Sequence, residues 1–200
     1  MSNDRKQDIV DAAIELFAMK GFRGTTTRDL AARAGVNEAI IFRHFATKEA
    51  LYAAILERKA CEKDIGNFEQ IQRLSSSSDP VDFFECLGRM FLEHHESDPT
   101  FMRLLLFSAL EGHALADMFI DTMADRVRDP VAQFIRRRIE EGTFRDADPV
   151  LAARALFGMF VSYFQWQEIF NQKKKKSYDR DEVVRTFVSI FLFGLKKEKQ

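Results

Sequence analysis

Residues 21–52 read Gly21-Phe-Arg-Gly-Thr-Thr-Thr-Arg-Asp-Leu-Ala-Ala-Arg-Ala-Gly-Val-Asn-Glu-Ala-Ile-Ile-Phe-Arg-His-Phe-Ala-Thr-Lys-Glu-Ala-Leu-Tyr52. Thr26 is placed to cap a helix whose third residue is Asp29. Gly35 lies where a sharp turn with positive φ is expected, and Asn37 is a natural cap for a second short helix. This helix-turn-helix pattern indicates a protein that binds DNA.

The apolar residues of the same stretch predict how the two helices cross. Leu30 and Ala31 form the inner face of the first helix, and Ala31 is small enough to allow a close crossing. Ile41 is expected to pack against that face from the second helix, and Phe45 to close the wedge.

The stretch from Gly21 to Tyr52 resembles the DNA-binding domain of the tetracycline-repressor (TetR) family of bacterial regulators. The residues that carry the resemblance are Thr25–Val36, His44-Phe45 and Thr47–Leu51. No β pattern competes with the helical periodicity of the chain, so we expect an all-α fold of about nine or ten helices. A three-helix DNA-binding domain is expected over residues 1–48, and a larger helical regulatory and dimerisation domain over residues 49–200.

Composition is consistent with this interpretation. Two hundred residues, 46% hydrophobic and 30% charged, are enough to bury a core. The net charge of −1 is low for a DNA-binding protein, so the local distribution of Lys and Arg matters more than the total. Residues 1–48 are only mildly basic, which predicts modest non-specific affinity for DNA.

The sequence carries no signal for export, a membrane or a metal. Cys61 and Cys86 lack the spacing of a disulfide framework or a metal site, and buried thiols in a reducing cytoplasm are expected. The N-terminus does not read as a signal peptide. The longest apolar run, residues 155–164, is far shorter than the roughly 20 residues that span a bilayer. We therefore expect a cytoplasmic protein without a membrane partner, cofactor or metal.

Helical periodicity and capping residues predict the remaining elements. A first helix is expected over residues 4–20, ended by Gly21, and a fourth is capped by Thr47 and continues into the mid-60s. A polar loop is expected at residues 75–78. All four prolines follow aspartate, which predicts helix starts near residues 80, 99, 130 and 149, with a break or kink at Asp129-Pro130. Gly142 is expected to end that segment.

The last two long helices, about residues 149–171 and 179–197, are apolar on several faces. A helix of this kind is buried on several sides, which predicts a four-helix interface between two copies of the chain. The alternative is that both helices are central to a monomeric core. The expected interface residues are Leu156, Phe157, Phe164, Phe187, Phe191 and Leu195. A two-fold dimer would present two helix-turn-helix units to a palindromic operator.

The resemblance also assigns DNA contacts. Thr26 and Thr27, at a helix N-terminus, are suited to phosphate, and His44 and Lys48 lie where the family commonly binds phosphate. The exposed side of the second helix is expected to read base edges in the major groove through Asn37, Glu38, Ala39, Ile40 and Arg43.

Two residues of this surface are unusual. Glu38 either accepts a hydrogen bond from cytosine N4 or complements the helix N-terminus, and the sequence favours neither. Phe42 replaces a tyrosine that usually donates a hydrogen bond to phosphate in the family. We expect its ring to contribute packing instead.

The central helices, residues 80–141, are rich in aromatic residues. Aromatic residues at helical spacing usually belong to the hydrophobic core. The resemblance implies, however, that some of these side chains line a cavity for an apolar effector. The candidate ligand-binding residues, among which His95 and Glu111 would orient a polar group, are Phe84, Leu87, Phe91, His95, Phe107, Glu111, Leu115, Met118, Phe119 and Phe160.

The resulting prediction is a ligand-responsive transcriptional regulator, most often a repressor in this family, whose partners are an operator in double-stranded DNA, a small-molecule effector and a second copy of the chain. An enzyme is not expected, because no Gly-rich phosphate loop, nucleophile motif or metal spacing is present. The alternative is a helical dimer that binds a small molecule or a protein without specific DNA binding.

Overall fold

The computed structural model describes the backbone of residues 2–60, 79–121 and 125–196. Within these ranges the fold is all-α, with ten α-helices and no β-strand. The helices are α1 (Ser2–Lys20), α2 (Thr27–Ala34), α3 (Glu38–His44), α4 (Lys48–Ala60), α5 (Pro80–Ser97), α6 (Thr100–Glu111), α7 (Ala114–Phe119), α8 (Asp125–Glu140), α9 (Pro149–Phe164) and α10 (Arg180–Leu195). In the same ranges, no helix combines the length and apolarity needed to cross a bilayer.

The chain divides into two units. The first joins α1–α4 to α6 and α7. Helix α1 packs against α2, α4 and α6, and α4 also packs against α7. Its core includes Ile9, Ala13, Ile55 and Leu104, which are fully buried. Helices α2 and α3 therefore rest on a helical support rather than on a loop.

The second unit contains α5 and α8–α10. Helix α10 packs against α5, and α9 packs against both α8 and α5. The core is aromatic: the rings of Phe83 and Phe134 stack with centroids 4.1 Å apart, and Phe84 meets Phe134 edge to face at 5.5 Å. Gly88 lets Phe160 approach α5, since a Cβ at position 88 would lie 2.5 Å from the Phe160 ring.

The capping residues place most helix boundaries where the sequence predicts them. Gly21 and Gly142 follow α1 and α8 with φ near 73°. The Asp148 carboxylate accepts hydrogen bonds from the backbone of Val150 and Leu151, and Pro149 begins α9. Asp179 caps α10 in the same way. The expected end of α4 and the polar loop at residues 75–78 lie outside the described residues.

The predicted boundary at Asp129-Pro130 is wrong. Helix α8 begins at Asp125 and continues through Pro130. Proline at this position removes one backbone hydrogen bond in the second helical turn. The residues that follow it, Val131, Phe134 and Ile135, are at most 1% exposed, so their burial holds the segment in a helix despite the lost bond.

Candidate nucleic-acid interface

The start of α2 is fixed by a reciprocal capping box. The Thr26 hydroxyl oxygen accepts a hydrogen bond from the Asp29 backbone at 3.1 Å, and the Asp29 carboxylate accepts one from the Thr26 backbone at 3.0 Å. The hydrogen bonds from Thr26 hold the pKa of Asp29 below its usual value. The Thr26 hydroxyl also donates to Asp29. Its side chain is thus occupied by the cap, and the adjacent Thr27, the other candidate phosphate ligand at this helix start, is partly buried.

The turn between α2 and α3 has the geometry that its glycine predicts. Gly35 adopts φ 65° and ψ 30°, and its N–H faces the carbonyl oxygens of Ala31 and Ala32. The Val36 backbone donates to the carbonyl of Ala31 at 3.0 Å. A non-glycine residue would be strained in this left-handed conformation.

Helix α3 separates an inner face from an outer one. Asn37 caps it by accepting a hydrogen bond from the Ile40 backbone at 3.0 Å. Ile41 and Phe45 are each 5% exposed and pack into the core of the first unit, as expected. Ile40, a candidate base-reading residue, is partly buried against that core.

The outer face of α3 is open to solvent. Of the candidate base-reading residues, Asn37, Glu38, Ala39 and Arg43 are all exposed. They bring together an amide, a carboxylate, a methyl group and a guanidinium, which can respectively pair with adenine, cytosine, a thymine methyl and guanine. The face is therefore equipped chemically to discriminate base pairs.

Two candidate phosphate ligands flank α3. Lys48 is exposed at the first residue of α4, where Thr47 caps the helix by accepting from the Ala50 backbone at 3.1 Å. His44 is partly buried at the last residue of α3. Its Nε2 atom is buried without a hydrogen-bond partner among the described residues. A phosphate oxygen that reached Nε2 could accept the missing hydrogen bond.

Phe42 differs from the expectation that it contributes packing. Its side chain is 61% exposed and shares the outer side of α3 with Ala39 and Arg43. The reason is geometric, because Ile41 and Phe45 already occupy the inner face. The ring is free to make an apolar contact with DNA.

Ion pairs neutralise several acids of the first unit. Arg58 pairs with Asp11 at 3.1 Å, Arg33 pairs with Glu15, and Lys20 lies 3.8 Å from Asp29. These carboxylates therefore repel a phosphate backbone less than their number suggests. Such exposed pairs add little to stability.

Helix α6 is attached to the same unit at both ends. At its start, the buried ammonium group of Lys59 pairs with Asp98 at 3.1 Å. At its end, the Glu111 carboxylate accepts hydrogen bonds from the backbones of Phe22 and Arg23, each at 2.9 Å. Sequence reasoning missed both contacts. The residues are 39 and 88–89 positions apart, so no local pattern signals them.

The candidate ligand-binding residues are distributed over both units. In the second unit, Phe84, Leu87 and Phe160 are buried core residues, while Phe91 and His95 are partly exposed and stack with centroids 4.1 Å apart. In the first unit Leu115 is fully buried and Glu111 is bonded to the α1–α2 turn; the partly exposed candidates are Phe107, Met118 and Phe119.

The candidate dimer residues are placed mostly inside the second unit. Leu156, Phe164, Phe191 and Leu195 are between 0% and 8% exposed, so they have almost no surface with which to contact another subunit. Phe157 and Phe187 are partly exposed. The outer faces of α9 and α10 instead carry Leu151, Ile190 and Phe193, which are 62%, 60% and 86% exposed.

The chain matches two described families. Residues 9–55 match "Bacterial regulatory proteins, tetR family", and residues 86–194 match "AefR-like transcriptional repressor, C-terminal domain". Over 195 residues it is 26% identical to the HTH-type transcriptional repressor KstR2 of Rhodococcus jostii, an alignment that covers 96% of this chain and 91% of that protein.

Solved structures share the fold. NalD, the secondary repressor of the MexAB-OprM multidrug efflux pump in Pseudomonas aeruginosa, has a TM-score of 0.73 at 20% identity, with both chains covered completely. AibR, solved with isovaleryl coenzyme A and operator DNA, has a TM-score of 0.68 at 19% identity, covering 93% of this chain and 97% of that one. The two sequence matches together span most of the chain, which therefore belongs to the tetR family of DNA-binding transcriptional regulators.

Proposed function

We propose that this protein is a ligand-responsive transcriptional repressor. It binds a palindromic operator as a homodimer and is released by an apolar or aromatic small-molecule effector. The observation that carries the proposal is the open outer face of α3, where Glu38, Ala39, Phe42 and Arg43 are all exposed beside the candidate phosphate ligand Lys48.

The base-reading part of the proposal concerns Arg43 and Glu38. An arginine can hold guanine O6 and N7 with two hydrogen bonds, and a carboxylate can accept from cytosine N4. The neutral variant Glu38→Gln should change operator preference if Glu38 reads a base. Selection of binding sequences from random duplexes by both proteins tests this. Identical selected sequences would assign Glu38 to the helix N-terminus alone.

The apolar outer face of α9 and α10 supports a homodimer. A groove of about 860 Å³ and a second of about 420 Å³ run along it and share Ala155 and Met159. Gly158 and Gly194 line these grooves, and a Cβ at either position would meet nothing within 4 Å. Small residues on an apolar face allow helices of two subunits to approach closely.

The dimer is tested by placing a charge on this face. Phe193→Glu buries a carboxylate in the proposed interface and should give monomers by light scattering, with much weaker operator binding. Leu110→Glu is the matched control, because Leu110 is 84% exposed but lies in the first unit. A wild-type protein that is monomeric at micromolar concentration would overturn the dimer.

Partly exposed aromatic and methionine side chains support an apolar effector. Phe91 in the second unit, and Phe107, Met118 and Phe119 in the first, retain surface that a ligand could cover. AibR, which shares the fold, was solved with an acyl thioester of coenzyme A. The effector must bind the DNA-incompetent arrangement more tightly than the competent one, because otherwise it shifts no equilibrium.

A displacement assay tests this class of effector. Labelled operator bound to the dimer is challenged with isovaleryl coenzyme A, longer acyl thioesters and aromatic acids. Phe91→Ala should raise the concentration needed for release without changing effector-free affinity. Phe170→Ala, which removes a side chain that is 60% exposed, is the control. If no apolar compound releases the operator, the effector class is wrong.

A gel shift at two salt concentrations discriminates the alternative function, a helical dimer without specific DNA binding. The repressor should prefer a symmetric site. Its affinity should also fall steeply as salt is added, because salt opposes the release of cations from the DNA phosphates. A dimer that shows neither behaviour would support the alternative.

A further inference from the structure

The last residue of α6 forms a cross-link to the turn between α1 and α2. Glu111 Oε2 accepts hydrogen bonds from the backbone N–H groups of Phe22 and Arg23, both at 2.9 Å. Two adjacent backbone donors that converge on one oxygen form a small anion-binding nest. Here the anion is a side chain of the same unit.

The turn is shaped around this carboxylate. Gly21 adopts φ +73°, and a Cβ at this position would lie 2.2 Å from Glu111 Oε1. Glycine is therefore required twice, for the backbone conformation and for the approach of the carboxylate.

The α1–α2 turn links Glu111 to the start of α2 through hydrogen bonds. The Phe22 carbonyl accepts a hydrogen bond from the Thr25 backbone at 3.3 Å, and the Thr25 hydroxyl donates to the Gly21 carbonyl at 2.8 Å. The next residue, Thr26, caps α2. Only two residues separate Arg23 from this cap, so a shift of the turn must shift the first turn of α2.

Aromatic rings confine the cross-link. The Phe22 ring stacks on Phe17 at 4.3 Å and lies 4.6 Å from the His113 ring. His113 Nε2 lies 3.6 Å from Glu111 Oε2, beyond ordinary hydrogen-bond distance. The Glu111 side chain is 18% exposed. Hydrogen bonds from backbone amides to a charged, largely buried acceptor are stronger than those between neutral groups.

We propose that Glu111 is a positioning residue for DNA binding. Its carboxylate fixes the α1–α2 turn and thereby holds the first turn of α2 in the orientation that receives a phosphate. A displacement of the end of α6 withdraws the carboxylate, frees the turn and lowers operator affinity. This inference rests on the proposed function.

The test uses Glu111→Gln in the full chain. Glutamine keeps the size of the side chain but loses the charge, and the carbonyl oxygen that it retains is a weaker acceptor than a carboxylate oxygen. Hydrogen exchange of the Phe22 and Arg23 amides, followed by NMR, should become about tenfold faster, while amides of Ile9 and Ile55 keep their protection. Operator affinity should fall about tenfold with an unchanged salt slope, because the substitution removes no Lys or Arg that neutralises a phosphate.

Two further variants keep the test interpretable. Asp117→Asn removes an exposed carboxylate from α7 of the same unit and should leave both exchange and affinity as in the wild type. Glu111→Asp retains the charge but shortens the reach, and should give intermediate values. It also serves if the glutamine variant fails to fold.

Three results bear on the proposal differently. Unchanged exchange at Phe22 and Arg23 in Glu111→Ala, a variant with no acceptor in this side chain, would overturn the cross-link itself. Faster exchange with unchanged operator affinity would overturn the positioning role. If the wild type binds no duplex while the exchange effect is seen, the proposed function fails, and the positioning role fails with it.

Discussion

The hydroxyl group of Tyr52 lies 3.2 Å from Nδ1 of His113, which joins α4 to the turn between α6 and α7. Burial raises the pKa of Tyr52 to about 12, so the hydroxyl stays protonated at neutral pH and can donate to the imidazole. The Phe22 ring lies against both side chains. Helix α4 and the end of α6 thus contact the α1–α2 turn through one aromatic cluster.

Removing this hydrogen bond should destabilise the protein measurably. We expect Tyr52→Phe to lower the free energy of unfolding by about 1–2 kcal/mol, because the partly buried His113 imidazole loses its hydrogen-bond partner at Nδ1. Urea denaturation followed by circular dichroism measures the change. Tyr178→Phe is the control, since Tyr178 is 43% exposed. Equal midpoints for Tyr52→Phe and the wild type would show that the contact adds no stability.

Lys48 should contribute one phosphate contact per protomer. We expect Lys48→Ala to weaken operator and random duplexes alike and to reduce the slope of log K against log salt by about 0.9 per protomer. Fluorescence anisotropy at salt concentrations from about 50 to about 200 mM gives the slope, because affinity for DNA falls steeply over this range. Lys174→Ala, in the second unit, should behave like the wild type. A slope that does not change would remove Lys48 from the phosphate-binding set.

Phe42 lacks the hydroxyl that the family's usual tyrosine supplies. Phe42→Tyr should therefore tighten operator binding by about fivefold, the equivalent of roughly 1 kcal/mol for one added hydrogen bond to phosphate. Because the side chain is 61% exposed, the substitution should not disturb folding. Competition between the two proteins for one labelled operator measures the ratio. An unchanged or weaker affinity would mean that the ring does not face the DNA backbone.

Acid should destabilise the second unit through His95. Burial lowers the pKa of His95 from 6.5 to about 4, although its Nδ1 atom lies 2.8 Å from the Phe91 carbonyl. Above pH 6.5 the imidazole is neutral in both the folded and the unfolded chain, so it adds nothing to the pH dependence of stability. Between pH 6.5 and 4, His95 is protonated in the unfolded chain but stays largely neutral in the folded chain. The free energy of unfolding therefore falls as pH falls, by up to about 3 kcal/mol.

His95→Phe should remove that part of the acid sensitivity while keeping the stack on Phe91. Urea denaturation at pH 7 and pH 4.5 gives the difference for each protein. The variant should lose less stability on acidification than the wild type. Equal losses would show that His95 is not the base responsible for the acid sensitivity.

The sequence predicts the helix-turn-helix well because its signals are local. Thr26 and Asp29 form their capping box, Gly35 takes positive φ, and Asn37 caps α3, all within three or four residues of the partners they need. Asp148-Pro149 begins α9 for the same reason. Capping depends on backbone groups that are near in the chain, so the pattern alone determines it.

Features that depend on distant packing could not be predicted. Pro130 lies inside α8 because Val131 and Phe134 are buried against other helices, which overrides the local preference. From the sequence, Glu111 is a candidate ligand-binding residue. In the structure its partners are backbone amides 88 and 89 residues away. Helical periodicity similarly could not show that Phe191 is buried within its own subunit while Phe193 is exposed and able to contact a second one.

We expect two copies of α3 to enter successive major grooves of one duplex. A nuclease protection footprint of the wild-type protein on DNA flanking its own gene tests this most directly. We expect a protected, two-fold symmetric site whose half-sites are centred about one helical turn, or a multiple of it, apart. Protection should be lost in Phe193→Glu. An absence of protection at any concentration, or a single asymmetric half-site bound by a monomer, would contradict it.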